Sequence, residues 1–496
     1  MMLAWLVLIP FLGGFLAWAL DRRSAGAARG AALLALLLPL VLAARLWTET
    51  PLRLAQAGPW LREADWPWIP RFGIRVRLGL DGLSLLLVLL TLAIGLLAVL
   101  AAWTETRERV GLFHACLLWT LTGVLGVFLA TDLFLFTVFW ELMLVPMYFL
   151  IGVWGHEGRV AAAVKFFIFT QAGGLLMLAA ILGLVFAHAE QTGAPTFALA
   201  ELVGTRLSPA AARWLFLGFA AAFLVKLPAV PLHTWLPDAH AEAPTAGSVL
   251  LAALLLKTGA YGLLRFAVPL FPDAAREFAP VGMGLGVLGV LYGAVLAFGQ
   301  RDMKRLVAYT SVSHMGFVLL GIFAWTETAR QGAVLEMLCH ALSTGALFIL
   351  AGLLQERIHT RDLRQMGGLW ETVPWLGGAG LAFALASLGL PGLGNFVAEF
   401  LVLLGTYPAS RLATVLAAVG LILAAVYALQ LVQAAFHGPN LRGWRVPDLS
   451  SRELAVLFIM LATLLWLGLA PQPVLDTARP SLRQLQPVAP RATVAP

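Results

Sequence analysis

The chain has 496 residues, 60% hydrophobic and only 12% charged, with a mean hydropathy of +0.88. A soluble globule is near half apolar and about one-quarter charged, so no soluble core absorbs this excess and one large membrane domain is the natural reading. The net charge of +7 comes from basic residues scattered over short loops without an aromatic-interleaved stripe, which argues against nucleic acid and for membrane topology.

A spanning helix needs roughly 20 apolar residues. Fourteen stretches qualify: 2–20, 28–47, 80–102, 111–130, 133–153, 160–187, 214–241, 246–269, 279–299, 303–325, 332–355, 374–406, 411–436 and 453–470. The first lacks a basic leader and a cleavage site and reads as a retained span. The longest polar-leaning connection is 48–79, a second runs 188–213, and the tail after Ala470, with its Pro and Arg residues, is expected to be irregular. Cys116 and Cys339 lie in apolar runs and give neither a disulfide framework nor a CxxC signature. No P-loop or dinucleotide fingerprint is present, so no ATP or NADH site is expected in this chain.

Alternate short loops carry Arg22, Arg23 and Arg29; Arg107 and Arg109; Arg301, Lys304 and Arg305; Arg357, Arg361 and Arg364; and Arg442, Arg445 and Arg452. The opposite loops carry chiefly Arg276, Arg330 and Arg411. By the positive-inside rule both termini lie outside, in the periplasm of a bacterium with an inner membrane.

Two segments exceed a simple span and are interrupted. FLVKLPAVPLHTWLPDAHAEAPT contains Pro228, Pro231 and Pro237, and ASLGLPGLGNFVAEF sets Pro391 among glycines. Proline removes a helix hydrogen bond and clashes with the preceding turn, and the freed carbonyls survive at membrane depth only beside protein or a cavity. The breaks lie in corresponding places of two five-helix series, 111–269 and 279–436, with TQAGGLLMLAA (170–180) faintly like LSTGALFILAG (342–352). An odd helix count inverts one repeat relative to the other, and paired broken helices in inverted repeats point to a transport site. The expected fold is therefore an all-α polytopic membrane protein of about fourteen transmembrane helices. It divides into an N-terminal segment (1–110), the two repeats, and a last helix with its tail (437–496).

The chain has four lysines, Lys165, Lys226, Lys257 and Lys304, and uses Arg for its other permanent cations. Lys165, Lys226 and Lys257 fall inside predicted spans. Arginine stays charged, whereas a desolvated lysine can release its proton near neutrality, so a position that must titrate within the membrane needs Lys. For Lys165, early in its helix, snorkelling to the interface is the competing reading. Glu141, in FWELMLVPMYF, needs a cationic partner, and Lys226 is the candidate; a static ion pair is the plainer alternative. Glu399, in NFVAEF, is the natural end of a relay or an interfacial glutamate. His233, His240, His314 and His340 suit either a relay, since neutral imidazole donates and accepts, or packing. Lys226, His233 and His240 are spaced by seven and would share a face of an unbroken helix. Glu336 and His340, one turn apart, have no further ligand cluster, so no metal site is expected. Asp238 and Glu242 read as capping or water-facing residues.

These residues carry a resemblance. KLPAVPLHTWLPDAHAEAPTAGSVLLAALLLKTGAYGLLRF resembles the long signature of the antiporter-like subunits of respiratory complex I (NADH-quinone oxidoreductase) and of Mrp-type cation/proton antiporters, and the likeness runs from about residue 80 onward. PGLGNFVAEF carries Glu399 where the L and N types place a lysine, and the chain ends soon after its fourteenth helix without a long lateral helix, as in the M-type branch. The resemblance implies discontinuous seventh and twelfth helices, Glu141 paired with Lys226, Lys257 as the central relay lysine, and Glu399 toward the exit. His314 and His340 would lie on the axis between Lys257 and Glu399. It also implies L-type and N-type partners in the lipid bilayer. NADH, FMN, iron–sulfur clusters and quinone are expected in partner subunits, so an oxidoreductase label would describe the complex. A subunit of an Mrp-type Na⁺/H⁺ antiporter or of a membrane hydrogenase is the neighbouring reading, and a scaffold with purely structural buried charges is the reading from another class.

Overall fold

A computed structural model describes residues 1–54 and 60–485. Thirteen of its helices are long and apolar enough to cross a membrane, and two shorter apolar helices in tandem, Pro374–Ser387 and Gly394–Thr406, make a further crossing. The chain is a multi-pass membrane protein. In chain order, α1 (Met2–Leu20) and α2 (Ala25–Leu54) lie at the periphery, with Trp5, Leu12, Leu34 and Val41 exposed, as hydrocarbon allows.

The connection after α2 is not merely polar. Residues 55–59 lie outside the described chain, but β1 (Arg62–Ile69) and β2 (Ile74–Leu80) form an antiparallel hairpin. Arg75 reaches Asp65 across it at 2.7 Å. The hairpin docks on the turn between α4 (Val110–Leu129) and α5 (Leu133–Leu142), where Arg75 N–H donates to Asp132. α3 (Gly82–Ala101) follows β2, and Asp81 caps it by accepting from Ser84 N–H.

The span starting at Leu133 is divided into α5 and α6 (Leu144–Trp154). Pro146 sits four residues after Leu142, the position at which its ring displaces that carbonyl from the helix ladder. α7 (Arg159–Thr192) is continuous. The next crossing is broken between α8 (Pro209–Lys226) and α9 (Trp235–Glu242). There the Trp235 indole donates to the Val225 carbonyl that the break releases.

α10 (Thr245–Leu270) carries two π turns, Leu251–Leu255 and Leu263–Ala267, on either side of Lys257. α11 (Pro272–Phe298), α12 (Met303–Phe323) and α13 (Glu327–Ile358) follow. α10 and α13 are buried along their whole spans, so their polar side chains face other helices and not lipid.

The second break separates α14 (Pro374–Ser387) from α15 (Gly394–Thr406). α16 (Arg411–Phe436) and α17 (Ser451–Leu469) complete the crossings. Both broken crossings occupy the fourth place in a series of five. An aspartate, Asp132 or Asp302, caps the second helix of each series and bridges to the loop after the third, at Ala198 or Asp362.

The tail corrects the expectation of irregularity. Gln472–Gln484 is a helix, α18, that buries Val474, Leu475, Ala478 and Leu482. Its Thr477 accepts from Trp47, its Ser481 accepts from Leu83 N–H, and Arg483 pairs with Glu327 at 3.0 Å. Four apolar residues on one face are enough to seat so polar a helix on the bundle. The last stretch, 486–496, lies outside the described residues.

Arg265 and Asp81 join α10 to the start of α3 at 2.5 Å. Tyr261 lends its hydroxyl to the guanidinium, which lies over the Trp60 ring. Removing one member of a buried pair strands the other charge at a cost of about 3–5 kcal/mol. Arg265→Met is therefore expected to lower the thermal denaturation midpoint of the purified assembly. Arg265→Met with Asp81→Asn should recover most of the loss; equal losses in the single and double variants would refute this account.

Candidate functional site

Lys257 stands between the two π turns. Such a turn widens the helix and frees backbone carbonyls, and the Lys257 ammonium donates to one of them, Ala252 O, at 2.5 Å. Its Nζ is also 2.6 Å from His340 Nδ1 on α13. The His340 ring lies 5.4 Å, centroid to centroid, from that of His314 on α12. His314 Nδ1 is in turn 3.2 Å from Glu399 Oε1 on α15. Four residues from four helices thus form one line, each at most 1% exposed. Gly389 makes room at its end: the φ of +78° suits glycine, and a Cβ there would stand 2.7 Å from Glu399 Oε2.

The line has a member that its sequence pattern hid. Glu336, one turn before His340, sits 3.3 Å from His314 Nδ1. His314, Glu336 and Glu399 bring ligand-type atoms within 4.8 Å of one another, a spacing also able to hold a metal ion. Sequence spacing had linked Glu336 with His340; tertiary packing links it with two residues far along the chain.

In the other half, Glu141 lies at the end of α5, beside the Pro146 break, and hydrogen-bonds to Gln171 on α7. Gly174 permits this approach, since a Cβ there would meet Glu141 Oε1 at 2.5 Å. Lys226 is the last residue of α8. Its Nζ lies over the rings of Trp140 (5.1 Å) and Phe166 (5.6 Å) and has no hydrogen-bond partner among the described residues. Glu141 and Lys226 are near enough for their charges to interact, but they are not in direct hydrogen-bonded contact.

The break divides the sevenfold series of Lys226, His233 and His240. His233 meets Tyr292 and Tyr309 edge-on, whereas His240 stacks on Phe348 at 4.4 Å. Lys165 is part-exposed and pairs with Asp238 at 2.6 Å. Arg305 grips the same carboxylate at 2.7 Å. Asp238, part-exposed, thus links α7 in the first series to α12 in the second.

Lys304 is not a loop residue. It lies in the first turn of α12, fully buried, and donates to Ala243 O with His156 Nε2 at 3.4 Å. Arg361 closes this basic face by pairing with Asp302 at 3.0 Å and Glu242 at 3.6 Å and by donating to Ala241 O. Glu105, between α3 and α4, accepts from Thr245 N–H. The signal for this cluster was present in the sequence: Lys304 is the single lysine among the loop cations.

Residues 130–424 match the family described as NADH:quinone oxidoreductase/Mrp antiporter, TM. NADH-quinone oxidoreductase subunit M of Escherichia coli (strain K12) is 52% identical over 497 residues, covering 98% of each chain. The subunit M of Pseudomonas aeruginosa is 53% identical over 496 residues, covering 98% of this chain and 97% of the relative. A chain of respiratory complex I from Thermus thermophilus with bound NADH superposes with a TM-score of 0.88 at 35% identity, covering 98% of this chain and all (100%) of that one. A chain of the Mrp complex from Dietzia sp. DQ12-45-1b shares the fold, with a TM-score of 0.84 at 21% identity over 97% of each chain. The chain belongs to the NADH:quinone oxidoreductase/Mrp antiporter family of membrane proteins, and within it to the M subunits of NADH-quinone oxidoreductase.

Proposed function

We propose that this membrane subunit carries protons across the bilayer along Glu141, Lys226, Lys257, His340, His314 and Glu399. The observation that supports it most is the line Lys257–His340–His314–Glu399, with its first contact at 2.6 Å and its last at 3.2 Å between buried side chains. Every member can gain and lose a proton, which an arginine in the same place could not. Intramembrane ionisable groups are costly and mark transport pathways by default. Lys226, held over two aromatic rings, has no hydrogen-bond partner among the described residues to tie its ammonium in place. A closer approach favours its charged form and separation expels the proton. His233, His240 and Lys165 flank this path, and Lys165 serves through Asp238 to anchor the first break.

The two five-helix series, 111–269 and 279–436, are read as inverted repeats, with Asp132 and Asp302 in equivalent capping positions on opposite faces. The basic face is cytoplasmic and both termini are periplasmic in a bacterial inner membrane. L-type and N-type subunits are the neighbours in the membrane. NADH, FMN, iron–sulfur clusters and quinone belong to partner subunits, whose redox chemistry drives the transfers.

At the cytoplasmic face, His156 is the neutral group beside Lys304. Burial first, then the charges of Lys304 and Arg361, hold it down to about 4. Its ordinary value is near 6.5, so the unfolded chain binds this proton first, and the stability it contributes is complete above pH 6.5 and lost as pH falls toward 4. His156→Gln is expected to flatten the pH dependence of thermal stability across that window; an unchanged slope would count against it. For the pathway, Lys257→Ala in the reconstituted complex is expected to slow NADH-driven proton translocation through this subunit by at least about tenfold. Normal pumping by an assembled Lys257→Ala or Glu141→Ala complex would sink the relay.

A further inference from the structure

The proposed path needs one carboxylate at its outlet, and the fold supplies two. His314 Nδ1 lies 3.2 Å from Glu399 Oε1 and 3.3 Å from Glu336 Oε1. Its other ring nitrogen faces Ser387 Oγ at 3.1 Å and Tyr427 OH at 3.5 Å. One N–H cannot serve two carboxylates fully. Both oxygens of Glu336 and the second oxygen of Glu399 have no hydrogen-bond partner among the described residues. The nearest cation on a neighbouring element, Lys257, is engaged by His340 and Ala252 O, and Cys339 adds no charge to offset them.

Charge counting then decides the contents of the cluster. Two carboxylates and one imidazolium leave a net negative charge that only the Lys257 ammonium can offset, and once Lys257 gives up its proton the buried cluster holds an unpaired charge, which is not sustained. Like charges this close do not both ionise. One more proton, held between the carboxylates, makes the cluster neutral. A dication on a neutral imidazole would balance the charge equally well. However, Nδ1 is directed at Glu399 Oε1, with which it makes a hydrogen bond, the posture of an N–H donor rather than of a lone pair directed at a metal.

We propose that Glu336 is a second proton-carrying carboxylate, forming with Glu399 and His314 a proton store at the outlet. The inference rests on the relay reading above. In each cycle the shared proton leaves from Glu399 to the outlet, and the imidazolium of His314 gives its Nδ1 proton to the carboxylate pair. His314 then takes a proton from the Lys257–His340 side. One proton enters and one leaves, and the cluster is never bare of protons.

The test uses the purified complex in liposomes, checked for assembly, with Glu336→Gln, Glu399→Gln, the double variant and Glu336→Asp. Each Gln single variant is expected to slow NADH-driven proton movement through this subunit by about three- to tenfold, and the double variant by more than about a hundredfold. The infrared carbonyl band of a protonated carboxylic acid, present in the wild type, should vanish in Glu336→Gln and return with pumping in Glu336→Asp. Three results would overturn the store: wild-type pumping and infrared band in Glu336→Gln, a double variant no worse than Glu399→Gln, or a stoichiometric metal that Glu336→Gln releases. If Lys257→Ala pumps normally, the relay reading has failed, and the infrared band still decides whether the store exists.

Discussion

A charge inside this bundle must find its partner on another helix, because hydrocarbon offers none and each helix satisfies only its own backbone. That constraint organises the interior. Lys257 on α10 reaches His340 on α13, His314 on α12 reaches Glu399 on α15, and Arg265 on α10 reaches Asp81 before α3. Apolar contacts alone would leave the rotation of each helix weakly specified, since lipid and Leu side chains are equally good neighbours. The buried polar contacts fix which face of α10 and α13 points inward. Among the groups that orient the helices, Lys257, His340, His314 and Glu399 are titratable whereas Arg265 is a fixed cation.

Backbone irregularity accompanies each of these charges. Glu141 precedes the interruption at Pro146, Lys226 ends α8, Lys257 is flanked by π turns, and Glu399 faces the break at Gly389. A regular helix spends all its carbonyls on itself. A broken or widened one frees them, and Ala252 O on Lys257 shows the use made of such a carbonyl. The same carbonyl lowers the cost of holding an ammonium in the membrane without neutralising it permanently, as a carboxylate at that distance would.

The crossings were legible because hydropathy is a local property, and so were both long breaks, since Pro and Gly act on their own turn. The choice of Lys over Arg also marked Lys226 and Lys257 without any structure. Three features were legible but unread. Pro146 follows Leu142 at the spacing that interrupts a helix, Ile74, Val76 and Leu78 alternate with Arg75 and Arg77 as a strand does, and the polar tail hides an apolar face. What could not be read is which buried faces meet. α13 is apolar nearly all round, so periodicity gives it no direction. Glu336 looked like a partner of His340, one turn away, until α12 and α15 supplied His314 and Glu399. For Glu141 and Lys226, residue type suggested a pair, and packing adds aromatic rings around the lysine while keeping the two charges within reach of each other.

The first break is also the place where the two helix series are tied together. Asp238, just beyond it, is shared by Lys165 from α7 and Arg305 from α12. A carboxylate divided between two cations holds each more loosely than it would hold one alone, so a change in either pair alters the other. Lys226 ends the helix on the near side of the same eight-residue interruption, 227–234. The far end of that interruption is held by both series, and the basic-face pairs of Arg361 with Glu242 and Asp302 hold the end of α9 to the start of α12. The two series are thereby joined at the first break. The link between them runs through ion pairs at the edge of the membrane, where such pairs can be exchanged at lower cost than in its core.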